Sequence, residues 1–514
     1  MLHYCGIILW VMKMLITEKY REEITGILYC YDRVIINTVA GTFGFKDGMA
    51  MFFNLNKFKV FDYANVFKPV TSRIVENAKK LAEDNGLTIE FIRKPKAFRK
   101  EDRIAAIIEE RGEEEGLVHI FSSLDINNTY EPYHNTATGK TYFNNATTKC
   151  LTYYFYFIDR DFGLCFIRVP TIAPFKIDFY FNGHNWLKSK FNKRGIPFQM
   201  ADNAFTGIDS FEEAQKIVDK IRVEDLHNAL DIFVKRYCPM PEEWGLSYNY
   251  TISQVEFALD IIFESEDALK PVYDNIIKTA MHTVTPDNIA NFLGKRFSVL
   301  FEGEAGSRYN KRILGTRIKH QMGEISVKIY DKFGKILRIE VTSNDVSQLK
   351  TYREVQKRDG SVECKVAPVK KSIYSLFVLI DIFKGACNRY LEFISSFDDP
   401  TEGMKKLDRA TETVKNNDKS YKGFNFFSKE DERILLAVAD GKNVLKGITN
   451  KSLRAMLPDK KPWQISSIIK RLRLHGLLKK VGNSYKYYLT SLGKQVIVAG
   501  LGFKNMSLIP ALSI

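Results

Sequence analysis

Residues Ser428–Lys494, SKEDERILLAVADGKNVLKGITNKSLRAMLPDKKPWQISSIIKRLRLHGLLKKVGNSYKYYLTSLGK, spell out three helices followed by a two-stranded hairpin. Ser428 is a good N-cap, acids fill the first turn, and Ile434, Leu435 and Val438 form one apolar face. Asn450 is suited to cap a short second helix, which Pro458 ends. Pro462 opens a third helix, where Ile465, Ile468, Ile469 and Leu472 repeat at helical spacing. Gly476 falls where a left-handed C-cap is expected. Leu477–Val481 and Tyr485–Leu489 read as strands around Gly482-Asn483-Ser484.

The charge is concentrated here. The stretch holds 15 Lys and Arg against 5 Asp and Glu, a net of +10 out of the chain's +15. Away from the isoleucine stripe the third helix carries Gln464, Ser467, Lys470 and Arg471, with Arg473 beside them, and the hairpin adds Lys479, Lys480 and Lys486. A helix with polar and basic side chains beside a basic hairpin meets the needs of duplex DNA: the helix fits the major groove, and cations displace counterions from phosphates. The segment resembles the winged-helix domain of MarR-type bacterial regulators, on RLRLHGLLKKVGNSYKYYLTSLGK with its LT-x-x-G close. That resemblance implies a winged helix-turn-helix fold and DNA binding.

Outward from this domain, 514 residues are enough for two to four domains. The seven cysteines are scattered with no C-x-x-C, which argues against a disulfide framework or zinc ribbon and for a reducing cytoplasm. The apolar run Cys5–Val11 is too short to span a membrane. Met12 or Met14 is as good a start as Met1, and Thr17–Leu28 reads as an amphipathic helix.

The body reads as α/β (α+β) with a mixed or antiparallel sheet. The expected divisions are an α/β domain over 1–115, a β-rich α+β domain over 116–237, helices with basic hairpins over 238–400, a linker over 401–423 and the winged helix over 424–514. Tyr130–Thr148 reads as a polar loop, and Ser253–Glu264 as a helix. No internal repeat is visible.

Two sets of body residues are candidates for chemistry. Arg317, Lys319, His320, Lys328, Lys332 and Arg338 are expected at outward positions of predicted hairpins and are candidates for contact with a nucleic-acid backbone. Asp32, Asp159, Asp331 and Glu340, with Asp125 and Asp161, lie at strand ends or within strands. Carboxylates from separate strands hold Mg²⁺ in two-metal nucleases and transposases. Asp159 and Asp161 also fit a turn, and Asn182-Gly183-His184 is a candidate ligand cluster that reads first as a turn signal. No phosphate-binding loop, G-x-S-x-G or H-E-x-x-H motif is present, and no cofactor is implied beyond that metal.

Two further resemblances bear on the body. VKIYDKFGKILRIEV resembles the Y-D-K…L-R-x-E hairpin of rolling-circle replication initiators, which implies nicking by a tyrosine such as Tyr330. The His-hydrophobic-His metal motif of that family is absent. The whole chain also resembles a bacterial family of about this length, on YDRVI, GLVHIF, CLTYYFYFID, FNGHNWL, KIYDK and LRIE; this implies no particular activity. The expectation is a DNA-binding mobile-element, replication or DNA-processing protein with metal-dependent strand cleavage. A transcriptional regulator with a large sensor body and a structured-RNA partner are the alternatives.

Overall fold

A computed structural model describes residues 14–93, 98–296, 303–312, 315–357, 359–398, 401–441, 443, 447–482, 484–509 and 512. Met1, Met12 and Asn483 lie outside them. The chain divides into two compact units, Met1–Asp398 and Asp399–Ile514.

The first unit is mixed α/β. Its strands include β1 (Ile24–Ala40), β2 (Ile89–Phe91), β3 (Gly116–Asn135), β4 (Lys140–Asp159), β5 (Gly163–Pro170), β6 (Ile177–Asn182), β7 (Phe198–Ala201), β8 (Ala204–Ile208), β9 (Tyr248–Phe263), β10 (Ala305–Arg312), β11 (Gly315–Met322), β12 (Ile325–Lys332) and β13 (Ile336–Ser343). Eleven of them form one sheet in the order β10-β11-β12-β13-β9-β1-β6-β5-β4-β3-β2. Among the described residues only the β2–β3 pair of this sheet is parallel.

The order repeats. After β1 and its helices, β3 to β6 run as a meander that returns beside β1. After β9 and its helices, β10 to β13 do the same beside β9. The antiparallel pair β1–β9 joins the halves, running from Ile24 opposite Phe263 to Ala40 opposite Tyr248. Near its middle the register shifts between Tyr31 and Val34, so that Asp32 and Arg33 bulge opposite Glu256.

Several expectations are corrected. One sheet crosses the divisions at 115/116 and 237/238, so they do not separate domains. The expected helix Ser253–Glu264 belongs to β9. Val255, Phe257, Leu259 and Ile261 alternate there with Glu256, Ala258 and Asp260, and that period of two belongs to a strand. The expected helix over Thr17–Leu28 stops at Lys19, since the β-branched and aromatic run from Ile24 suits β1. Tyr130–Thr148 is the outer arm of the β3–β4 hairpin, whose Thr and Tyr residues fit a pleated surface.

One face of the sheet packs on helices Tyr63–Asp84, Val223–Tyr237, Glu266–Thr283 and Leu376–Asp398. The aromatic content is largely spent there. Phe43, Phe52, Phe53, Tyr63, Phe67 and Phe143 form one ring cluster, and Phe155, Phe157, Phe179, Phe233 and Tyr237 another. The other face is polar at its centre. Helix Gly183–Arg194 and the β7–β8 hairpin cover part of it, and helix Lys100–Arg111 covers Tyr156 and Phe166. Between these covers, Arg33, Tyr180, Glu256, Lys328 and Tyr330 remain half-buried.

The second unit has its own core of Ile434, Leu435, Val438, Leu453, Ile465, Ile469, Leu472, Leu477, Ile497 and Leu501. Helices Lys429–Ala439, Asn450–Met456 and Pro462–Leu474 precede the paired strands Leu478–Lys480 and Tyr487–Leu489. Thr449, rather than Asn450, caps the second helix. The expected linker is structured. Thr401–Thr411 is helical, Val414–Asn416 pairs with Lys419–Tyr421, and Ala410 and Phe424 enter the core. Asn417 and Asp418, both at positive φ, make the tight turn between those strands.

Candidate functional site

Asp32 sits in the β1 bulge, where the backbone turns its carboxylate onto the polar face beside β6 and β9. The FNGHN sequence takes the chain from the end of β6 straight into a helix, so the turn reading of Asn182-Gly183-His184 is corrected. Asn182 Oδ1 accepts from His184 N at 2.8 Å and Asn185 N at 3.3 Å, while its Nδ2 donates to Asp32 Oδ1 at 2.9 Å. Gly183 is required by close approach, because a Cβ there would stand 2.1 Å from Tyr31 O. That contact lets the helix begin against β1 and buries His184 completely.

Arg338 anchors the cluster at 0% exposure. Its Nε and Nη2 each donate to Asp260 at 2.6 Å, and its Nη1 reaches Asp32 Oδ2 at 3.3 Å. His184 Nδ1 faces Asp32 at 3.5 Å, and its Nε2 faces Asp260 at 3.4 Å. Asn203, from the β7–β8 turn, donates to Asp32 at 2.9 Å and accepts from Lys332. Burial alone would raise both carboxyls. The guanidinium, helped by His184, outweighs it and holds Asp32 and Asp260 well below the usual carboxylate range. Burial and Arg338 push the Lys332 amine down to about 8.

A second group continues along the same face. Lys328 bridges Glu340 and Glu256, 3.3 Å from the latter. Tyr330 donates to Glu340 Oε2 at 2.7 Å. Burial lowers the Lys328 ammonium, but the two glutamates outweigh it and raise it. Burial and Glu340 push Glu256 up. Burial also raises Tyr330 far above its ordinary value, so its phenol keeps its proton at neutral pH.

Asp32, Glu256 and Glu340 each bring one carboxylate oxygen within 4.8 Å of the others. Such a set of hard oxygen donors suits Mg²⁺ or Mn²⁺. The ammonium of Lys328 already lies between two of them, so a divalent cation binds there only as Lys328 withdraws.

Of the predicted carboxylates, Asp32 and Glu340 come together. Asp159 does not join them: it caps the β4–β5 turn, accepting from Asp161 N at 2.8 Å and Phe162 N at 3.0 Å. Asp161 pairs with Lys190 and Lys193. Asp125 belongs to a separate network with Tyr154 and Arg168. Asp331 alternates onto the opposite face, where burial raises it to about 6. Glu256 and Asp260 were missed because β9 was read as a helix. The alternation V-E-F-A-L-D-I was the available signal.

The predicted backbone-contact residues are mostly enclosed, because β11, β12 and β13 are interior strands of the sheet. His320 is fully buried and bonded to Ser307 and Tyr390, and Arg338 is fully buried. Lys328 and Lys332 belong to the site. Arg317 and Lys319 stay partly exposed.

In the second unit Arg471 also turns inward. It makes two bonds to Asp431, at 2.8 and 3.0 Å, donates to Lys422 O and Gly423 O, and lies 3.9 Å from the Phe424 ring. Gln464 caps its own helix, accepting from Lys461 N at 2.7 Å. Ser467, Lys470, Arg473, Lys479, Lys480 and Lys486 are exposed. So are Trp463 at 66% and Tyr485 at 83%, two aromatics that charge counting passed over.

No family model, curated protein or solved structure matches this chain. Among the described residues no helix is long and apolar enough to cross a membrane.

Proposed function

We propose that this chain is a DNA-processing protein of the mobile-element or replication kind, and that it grips duplex DNA through a winged helix at 462–489. One observation carries the reading. From Lys460 to Lys494 there is no acidic residue, and the exposed positions of the helix and hairpin include Trp463, Ser467, Lys470, Arg473, Lys479, Lys480 and Lys486. The helix seats in the major groove, the hairpin lysines lie along phosphates, and Trp463 adds an apolar contact to base edges. Fluorescence anisotropy of the full chain on labelled duplex tests it. Replacing Lys470 and Arg473 by Ala weakens binding about tenfold and lowers the salt slope by about 2. Unchanged affinity, or copurification of a DNase-resistant transcript in place of DNA, overturns it.

A second reading concerns the sheet, and the convergence of Asp32, Glu256 and Glu340 favours it. These acids take Mg²⁺ or Mn²⁺, which would supply an activated water for phosphodiester cleavage. Lys328, freed from Glu340 and Glu256, then faces the anionic substrate. Cleavage of labelled DNA that needs the metal and is lost in Glu256→Gln supports this. Sequence-specific footprints without cleavage at any metal concentration favour a regulator instead.

A further inference from the structure

A cleft of about 780 Å³ opens in the first unit at the carboxyl end of β1. Asn128 from β3, Asn145 from β4 and Asn249 from β9 line it, and all three are exposed. Phe45 stands in the same lining at 58% exposure, and Lys176 is the one cation among the described lining residues. No carboxylate is among the described lining residues. Thr38 also lines the cleft. It is 3% exposed, and its Oγ1 finds no hydrogen-bond partner among the described residues. A buried hydroxyl left in that state costs about 1–3 kcal/mol unless something else supplies the bond.

These features select a ligand. Side-chain amides present a donor and an acceptor side by side, which is the pattern needed to pair with the edge of a nucleobase. An exposed aromatic ring offers a stacking shelf for that base. A single lysine in a lining without acids suits one phosphate and does not repel it. We propose that this cleft binds a nucleotide, with Asn128, Asn145 and Asn249 reading the base edge, Phe45 stacking on it and Lys176 holding its phosphate. The site does not depend on the duplex reading, since it lies in the other unit. The nucleotide is either free or an unpaired residue of a single strand, and the two sources present the same chemistry.

The test titrates the full chain, by calorimetry, with nucleoside 5′-monophosphates, the parent nucleosides, a methyl glycoside and a single-stranded oligonucleotide. Monophosphates bind and the glycoside does not. Asn128→Asp with Asn145→Asp adds two charges at exposed positions and weakens monophosphate binding about tenfold or more, with an unchanged circular dichroism spectrum. Lys176→Ala abolishes the preference for monophosphate over nucleoside, and Phe45→Ala weakens both about tenfold, as expected for one lost stack. An oligonucleotide that binds at least about tenfold tighter identifies a strand as the source; equal affinity identifies the free nucleotide. Binding of the glycoside as tight as that of the nucleotides, binding unchanged in the double variant, or no binding of any nucleotide at millimolar concentration overturns the proposal.

Discussion

Arg338 is where single-residue chemistry is most consequential, because one buried guanidinium faces two buried carboxylates. Arg338→Met leaves Asp32 and Asp260 uncompensated and destabilises the first unit by about 3–5 kcal/mol, measured by urea denaturation. The depressed carboxyls also set an acid limit. Their folded values lie below the unfolded 3.8, so their stabilisation is complete above that value and is lost as pH falls below it. His320 acts in a separate window. Burial lowers it from 6.5 to about 4, so the unfolded chain takes up the proton first and stability declines as pH falls from about 6.5 to about 4. His320→Gln keeps a polar partner for Ser307 and Tyr390 and flattens the denaturation midpoint across that interval; an undiminished slope refutes the assignment. Asp32 and Glu340 were legible as candidates because acids at the ends of strands or within them are what a metal site draws on. The partner of Asp32 was not legible, since Arg338 stands 306 residues away in sequence.

Among the elements, helix 462–474 carries both exposed cations and one that holds the fold. Lys470 and Arg473 point outward, while Arg471, between them, ties the helix to Asp431 and to the carbonyls before Phe424. Arg471→Ala therefore destabilises the second unit on the order of 2–3 kcal/mol, because Asp431 stays buried without its cation. Thermal unfolding followed by circular dichroism checks this, and a variant as stable as the parent counts against it. Helical spacing located the helix, but it could not say which of two arginines, Arg471 or Arg473, faces a neighbour. The reverse holds for β9, whose two faces alternate plainly. A short run of apolar and acidic residues satisfies a loose helical template as well as a strict period of two. That ambiguity hid Glu256 and Asp260 together.

At the scale of the whole molecule, each unit has its own hydrophobic core. A fragment spanning 399–514 is expected to fold alone, with a cooperative thermal transition and dispersed amide resonances; a molten fragment rules this out. The repeated order of the sheet halves places the β1–β9 pair at their junction, and the charged cluster sits at the middle of that pair. No repeat is visible in the residues themselves, because a meander demands only alternation and turns, which many sequences meet.

The sequence by itself determined the local elements of the second unit, the position of its basic surplus, most strands of the body and two of the three converging carboxylates. These are matters of spacing, capping and charge, which act over a few residues. Only the tertiary structure decided that β1 and β9 lie side by side, that Arg338 and His320 are enclosed, and that Glu256 and Lys328 complete the cluster. Strand pairing across more than two hundred residues is selected by the packing of a whole sheet, and no local pattern encodes which strand becomes the neighbour.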